Sequence, residues 1–236
     1  MSEAQLPAQL SLAFGHAPQM SEGDFLVAPC NADALAWLRA WETWPGPASI
    51  LYGPAGSGKT HLAHLFARAA VARLIPAREL SVEAPPRLLA EAPALVLEDC
   101  DRPGLDETAL FHLINLAKES GRRLLLTGRA APSLWPVGLP DLRSRLLAMP
   151  AMSIGAPDDA LLAAVLVKLF ADRQLRIGAD VIPYLLGRME RSFEACTRLV
   201  ERLDHTALAG QRAITVPLAR RVLDGEDENG SGTEGP

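Results

Sequence analysis

Aromatic residues are scarce in this chain, at 5% of 236 positions, and aliphatic and alanine side chains carry most of a 49% hydrophobic content. A core of that kind favours helices packed on a sheet. Cysteine is scarcer still. Cys30, Cys100 and Cys196 are odd in number, far apart and in no metal-ligand spacing, so they read as buried thiols in a reducing compartment. There is no basic excess either: Lys and Arg number 23 against 28 Asp and Glu, for a formal net charge of −5. Part of the acid lies between Asp224 and Pro236, which leaves the body nearer neutral. A free-standing DNA-binding domain usually shows a basic face, so direct DNA binding is disfavoured. Long hydrophobic runs are also missing. The longest, Leu161 to Ala171, is short and contains Lys168, which predicts a buried helix rather than a membrane span. Met1 to Gln5 has no basic region and no apolar stretch behind it, so no secretory signal is expected. The expectation is a cytosolic protein with no membrane partner. Its length suits one α/β domain and a small companion.

The chain divides by pattern. Residues 1–23 read as a flexible arm, with Pro7, Gly15, Pro18 and Gly23 and only one short apolar cluster. Asn31 is placed to cap a helix carrying Leu35, Leu38 and Trp41 on one stripe, and Trp44-Pro-Gly-Pro47 breaks it. Ser49 to Tyr52 is a short apolar strand, with further strands near Ala72–Ile75, Ala94–Leu97 and Leu124–Thr127. A helical stripe of Leu110, Leu113, Ile114 and Ala117 lies between the last two. Strands alternating with helices imply a parallel sheet with right-handed crossovers. After Pro157 the strands stop. Asp158-Asp159 can cap a helix to about Asp172, Val181–Met189 can form a second, and Phe193 to Ala207 has the spacing of a longer amphipathic third. Val216–Leu223 suits a strand or a final helical turn. The reading is an α/β domain over residues 24–156, a small helical domain over 157–223 and a disordered acidic tail over 224–236.

The motif that carries chemistry follows the first strand. Gly53-Pro54-Ala55-Gly56-Ser57-Gly58-Lys59-Thr60 satisfies the P-loop pattern, with the strand before it and the helix after it that the motif requires. Glycines let consecutive backbone N–H groups turn inward around phosphate oxygens, and the helix N-terminus adds its dipole. Lys59 is expected to bridge the β- and γ-phosphates, and the Thr60 hydroxyl to ligate Mg²⁺. Glu98 and Asp99 close a buried strand where an acid pair managing Mg²⁺ and water belongs; the competing reading is a solvated strand end. Asp101 reads as a turn residue. His61 and His64, one turn apart, lack the acid of a zincin motif and a third ligand, which argues against metal binding.

The residues around this motif resemble one family. Lys59-Thr-His-Leu-Ala-His64 resembles the corresponding run of the replication initiator DnaA and its shorter relative Hda. Leu124-Leu-Leu-Thr-Gly128, Gly138-Leu-Pro-Asp-Leu-Arg-Ser-Arg-Leu146 and Ala213-Ile-Thr-Val-Pro217 are similar to the Hda pattern, so the likeness spans about Phe25 to Leu223. It implies an AAA+ core with a helical lid, and ADP or ATP with Mg²⁺ held by the P-loop residues and His61. Thr60 and Glu98 would then be the metal ligands. It also implies that Phe25 to Asn31 meets the adenine base. In the arm, Gln9-Leu10-Ser11-Leu12-Ala13-Phe14 resembles the peptide by which Hda binds the β subunit of the DNA polymerase sliding clamp. Physically, it offers one amide and three apolar anchors on an extended segment. The resemblance places Arg145 as an arginine finger acting in trans beside the catalytic acids Glu98 and Asp99; the competing reading is a salt bridge to Asp141, and Arg143 is the neighbour most easily confused with it.

The implied function is a regulator that touches DNA only through the clamp and promotes hydrolysis of DnaA-bound ATP, with self-assembly open. The alternative is a self-sufficient ATPase such as a helicase loader. Three positions depart from the family pattern: Glu98 replaces Asp, Arg129 stands where these proteins carry Asp, and Glu194 aligns with a lid arginine. Arg191 or Arg198 is placed to substitute for the last. These changes should spare binding more than hydrolysis, so slow intrinsic turnover is expected.

Overall fold

The computed structural model describes residues 25–210 and 213–230. Five strands, β1 (Ala48–Tyr52), β2 (Ala72–Pro76), β3 (Ala94–Glu98), β4 (Arg123–Gly128) and β5 (Ala151–Ser153), form one parallel sheet in the order β2-β3-β4-β1-β5. β1 and β4 are in register from Ala48 opposite Leu124 to Tyr52 opposite Gly128. Strands β1, β3 and β4 are buried on both faces, which is why they read as unbroken apolar runs rather than alternating ones.

Alternation along the strands sorts the helices into two layers. Ile50, Leu97, Leu124 and Leu126 face α3 (Ala84–Glu91), α4 (Glu107–Ser120) and α5 (Pro140–Ala148). Leu51, Val96 and Leu125 face α1 (Ala32–Arg39) and α2 (Lys59–Ala69). The helix after the P-loop and the helix bearing Arg145 therefore lie on opposite faces of the sheet.

The second domain is helical, as its spacing predicts: α6 (Asp159–Asp172), α7 (Val181–Leu186), α8 (Phe193–Gly210) and α9 (Val216–Gly230) enclose a separate core around Leu162, Leu166, Phe170, Val181 and Leu203. Asp158 caps α6 by accepting from the Leu161 N–H at 2.8 Å. No helix among the described residues is long and apolar enough to cross a membrane.

Several local expectations change. Asn31 precedes α1 without capping it through its side chain; instead its Oδ1 accepts from Ala28 N–H at 2.9 Å and its Nδ2 donates to Leu26 O at 3.0 Å, pinning the loop before the helix. The last segment is a helix and not a strand, and it continues past Leu223 to Gly230. Cys100 and Cys196 are buried free thiols while Cys30 is half-buried. Burial pushes the Cys196 thiol up to about 12, and Cys100 higher still.

Candidate nucleotide site

The site forms where β1, β3 and β4 end together, at the carboxyl edge of the sheet, the place where open α/β sheets hold ligands. The loop from Gly53 turns back on itself through two left-handed glycines, Gly56 at φ 67° and Gly58 at φ 94°, and Gly58 is the N-cap of α2. A side chain at either position would be strained. Gly53 is needed for space: a Cβ there would lie 2.3 Å from the Ile154 carbonyl oxygen.

Lys59 opens α2 and is buried to 9% exposure. Its Nζ donates to Gly53 O at 2.8 Å and Pro54 O at 2.7 Å, which holds the amine inside the loop with one of its three donors left over. Burial is the main cause holding its pKa below the ordinary lysine range; Asp99, Asp101 and Glu98 oppose the shift, and Arg129 adds to it. The Ser57 hydroxyl is buried in the loop without a hydrogen-bond partner. A spare ammonium donor, an unsatisfied hydroxyl and a helix N-terminus in one cradle fit an anion of phosphate type.

Glu98 and Asp99 stand half-buried at the end of β3. Asp99 adopts φ 59°, and its N–H donates to Thr127 Oγ1 at 3.1 Å, so β4 fixes the turn that presents the two acids. No group of three or more His, Cys, Asp or Glu side chains among the described residues could hold a metal by itself. Thr60, which is exposed beside these acids in the sequence-predicted ligand set, suits the way Mg²⁺ is usually bound, by one or two protein oxygens and substrate phosphates. Asp101 does more than make a turn: its Oδ2 accepts from the N–H groups of Arg129 at 2.6 Å and Ala130 at 3.0 Å.

The loop before α1 and the lid both reach this cradle. The Phe25 ring lies 5.2 Å from that of His61 and borders Gly58, where Phe193 also packs. Phe193 N–H donates to Gly56 O at 3.0 Å, and Ser192 is buried against Gly56. Both residues belong to the site, though the sequence pattern marks Phe193 only as the start of a helix and does not single out Ser192. The Ser192 Oγ accepts from Ala195 N–H at 3.1 Å, and a serine capping α8 is the signal that could have drawn attention to this helix start. Arg198 and Arg191 are both engaged by carboxylates. Arg198 pairs with Glu194 at 3.0 Å and Glu190 at 3.6 Å, and Arg191 pairs with Asp159 at 3.1 Å.

Arg145 is set apart from the cradle. Its guanidinium lies 4.8 Å over the Phe111 ring of α4, rather than in an ion pair with Asp141, and it is half-buried where Arg143 is exposed. Glu107, also on α4, accepts from Gly138 N–H at 2.9 Å and Leu139 N–H at 2.6 Å and so anchors the start of α5. The Gln9–Phe14 segment lies outside the described residues.

Residues 159–223 match the family described as Hda, lid domain. An uncharacterized protein of Haemophilus influenzae is 29% identical over 189 residues, covering 75% of this chain and 82% of that protein. Domain III of the replication initiation protein DnaA of Thermotoga maritima superposes with a TM-score of 0.75 at 17% identity, over 88% of this chain and 97% of that one. AMPPCP-bound DnaA from Aquifex aeolicus gives 0.63 at 20% identity, over 81% and 65%.

Proposed function

We propose that this chain, whose residues 159–223 match the Hda lid family and whose fold is that of DnaA domain III, is an Hda-like, adenine-nucleotide-binding regulator of replication initiation that docks on the sliding clamp and stimulates hydrolysis of DnaA-bound ATP. The observation that carries this reading is the placement of Arg145. It sits on the helix layer across the sheet from α2, partly exposed, with its guanidinium over Phe111 and with the start of its helix anchored by Glu107. An arginine on that layer is presented to a neighbouring molecule rather than to its own P-loop. In such a neighbour it neutralises charge developing on a γ-phosphate, an effect worth ~10³–10⁵ in rate in phosphoryl-transfer systems.

Within its own cradle, Lys59 and the loop N–H groups hold the phosphates, Thr60 and Glu98 hold Mg²⁺, Asp99 stands by as the second acid, and Phe25 with His61 flanks the base side. ADP or ATP would supply the negative charge that the donors of the cradle are placed to hold. Own turnover is slow, because the lid offers Glu194, tied to Arg198, where a cation would be required. The arm segment Gln9–Phe14 brings the protein to clamp-loaded DNA, which supplies proximity without DNA contacts of its own.

Hydrolysis of ATP bound to DnaA, followed on clamp-loaded DNA, tests both contacts. Wild type is expected to accelerate it, Arg145→Ala to lose at least about 100-fold of the stimulation, and a variant lacking Leu12 and Phe14 to lose it unless its concentration is raised. No stimulation by wild type, together with rapid turnover of free ATP, would favour a self-sufficient ATPase such as a helicase loader instead.

A further inference from the structure

The lid carries a groove to which the P-loop contributes no residue. It lies between α8 and α9, has a volume of about 660 Å³, and is lined by three arginines, Arg198, Arg202 and Arg221, with His205 among them. Spacing explains the assembly. Arg198, Arg202 and His205 follow one another along α8 at intervals of four and three, so they share a face, while Arg221 and Val222 come from α9. The Arg202 guanidinium donates to the Val222 carbonyl and ties the two helices together, so the walls are set before anything binds.

The charge of the groove is unbalanced. Glu201, the one acid in the lining, is engaged by Arg173 at the end of α6, at 3.5 Å. Arg198 is balanced by Glu190 and Glu194, at 3.6 and 3.0 Å. Arg221 is exposed and has no carboxylate partner among the described residues, whereas its neighbour Arg220, outside the lining, pairs with Asp224 at 3.7 Å. Beside these cations the groove offers apolar surface. Val222 is buried in its lining, and Leu208, one turn beyond His205 on α8, is 71% exposed.

We propose that this groove docks an acidic segment of a partner protein, with carboxylates on Arg221 and Arg202 and an apolar side chain against the Val222 and Leu208 positions. The planar fork of arginine takes a carboxylate through two parallel hydrogen bonds, and arginine clusters are a recurring means of reading acidic motifs. Nucleic acid, the competing polyanion, fits less well. No aromatic ring lines the groove to stack a base, Glu201 does line it, and the chain as a whole carries a net charge of −5. The lid thus holds a second docking surface, which is independent of what the P-loop binds.

Fluorescence anisotropy of a short labelled peptide of alternating glutamate and leucine, titrated with the full chain, tests this assignment. Wild type is expected to bind it at least about tenfold more tightly than the same peptide with glutamine in place of glutamate. Arg221→Glu is expected to weaken binding by about tenfold or more, because the groove then repels the carboxylates. Leu208→Ala is expected to cost about threefold, and Arg220→Glu, outside the groove, to stay within about twofold. Equal losses in Arg220→Glu and Arg221→Glu, or equal affinity for the glutamine peptide, would overturn the assignment. Tighter binding of an oligo-dT strand would overturn it in favour of nucleic acid. Absence of binding by wild type overturns it as well, and binding that appears only in a chain ending at Gly225 would assign the groove to the chain's own acidic end. Melting curves check that the variants fold. Should Arg221→Glu not fold, Arg221→Gln removes the charge without reversing it and decides the matter, with a loss of about threefold in support and none against.

Discussion

A methyl group added to Gly56 would arrive 2.3 Å from the Ser192 Cβ, on a backbone already at φ 67°. Both penalties fall on the contact between loop and lid. Gly56→Ala is expected to cost about 1–3 kcal/mol of stability, through left-handed strain and forced displacement of the lid, and to weaken nucleotide binding with it. Urea denaturation of the full chain measures the first effect, and a midpoint equal to wild type would show that the lid does not lean on the loop. At this scale the sequence is eloquent about positions whose chemistry is local. The P-loop glycines, Lys59 and Asp158 can each be read from their immediate neighbours. Ser192 and Asp101 cannot, because their partners, Gly56 in one case and Arg129 and Ala130 in the other, are brought close only by folding. The Asp141 pairing offered for Arg145 failed for a similar reason: Phe111, on another helix, offers its ring to the guanidinium.

Helix α5 owes its position to a side chain on a different helix. The Glu107 carboxylate closes on Gly138 and Leu139 N–H, satisfying donors at the start of α5. Glu107→Ala is expected to destabilise the fold by about 1–2 kcal/mol and to cut stimulation of DnaA-bound ATP hydrolysis by about tenfold, since misplacing a catalytic group by an ångström is costly. A variant with wild-type stimulation and reduced stability would confine Glu107 to a packing role. Elements with strong periods were visible in advance: the buried strands, α4, α6 and α8 follow their apolar spacing. Two were not. The Pro85-Pro86 pair argues for a loop, yet α3 takes both prolines in its first turn, where a missing N–H breaks no helical bond. β5 has only three residues, and its strand character comes from pairing with β1 rather than from any pattern of its own.

The described residues form two cores that touch at the P-loop, one around the sheet and one within the lid. The hydrophobic period changes near residue 156 from strand–helix alternation to helices alone, and that change is legible in the sequence. How the halves meet was not readable, since the Phe193–Gly56 hydrogen bond spans most of the core sequence. If the loop couples them, ligand binding stabilises both. Mg²⁺ and AMPPCP at about 100 times their dissociation constant are expected to add about 2.7 kcal/mol and to shift a single calorimetric transition upward. Two transitions, with only one moving, would show that the lid melts independently of the cradle.

The helix that begins with Lys59 and Thr60 also carries Phe66, and around Phe66 stand three of the four tryptophans. Trp44 stacks on it at 5.4 Å, Trp41 meets it edge-on at 6.3 Å, and Trp37 stacks on Trp44 at 6.0 Å. An indole array of this kind gives a protein a strong near-ultraviolet signature. Here it is mounted on the helix whose N-terminus borders the cradle, so filling of the cradle is expected to register in the near-ultraviolet spectrum of unlabelled protein.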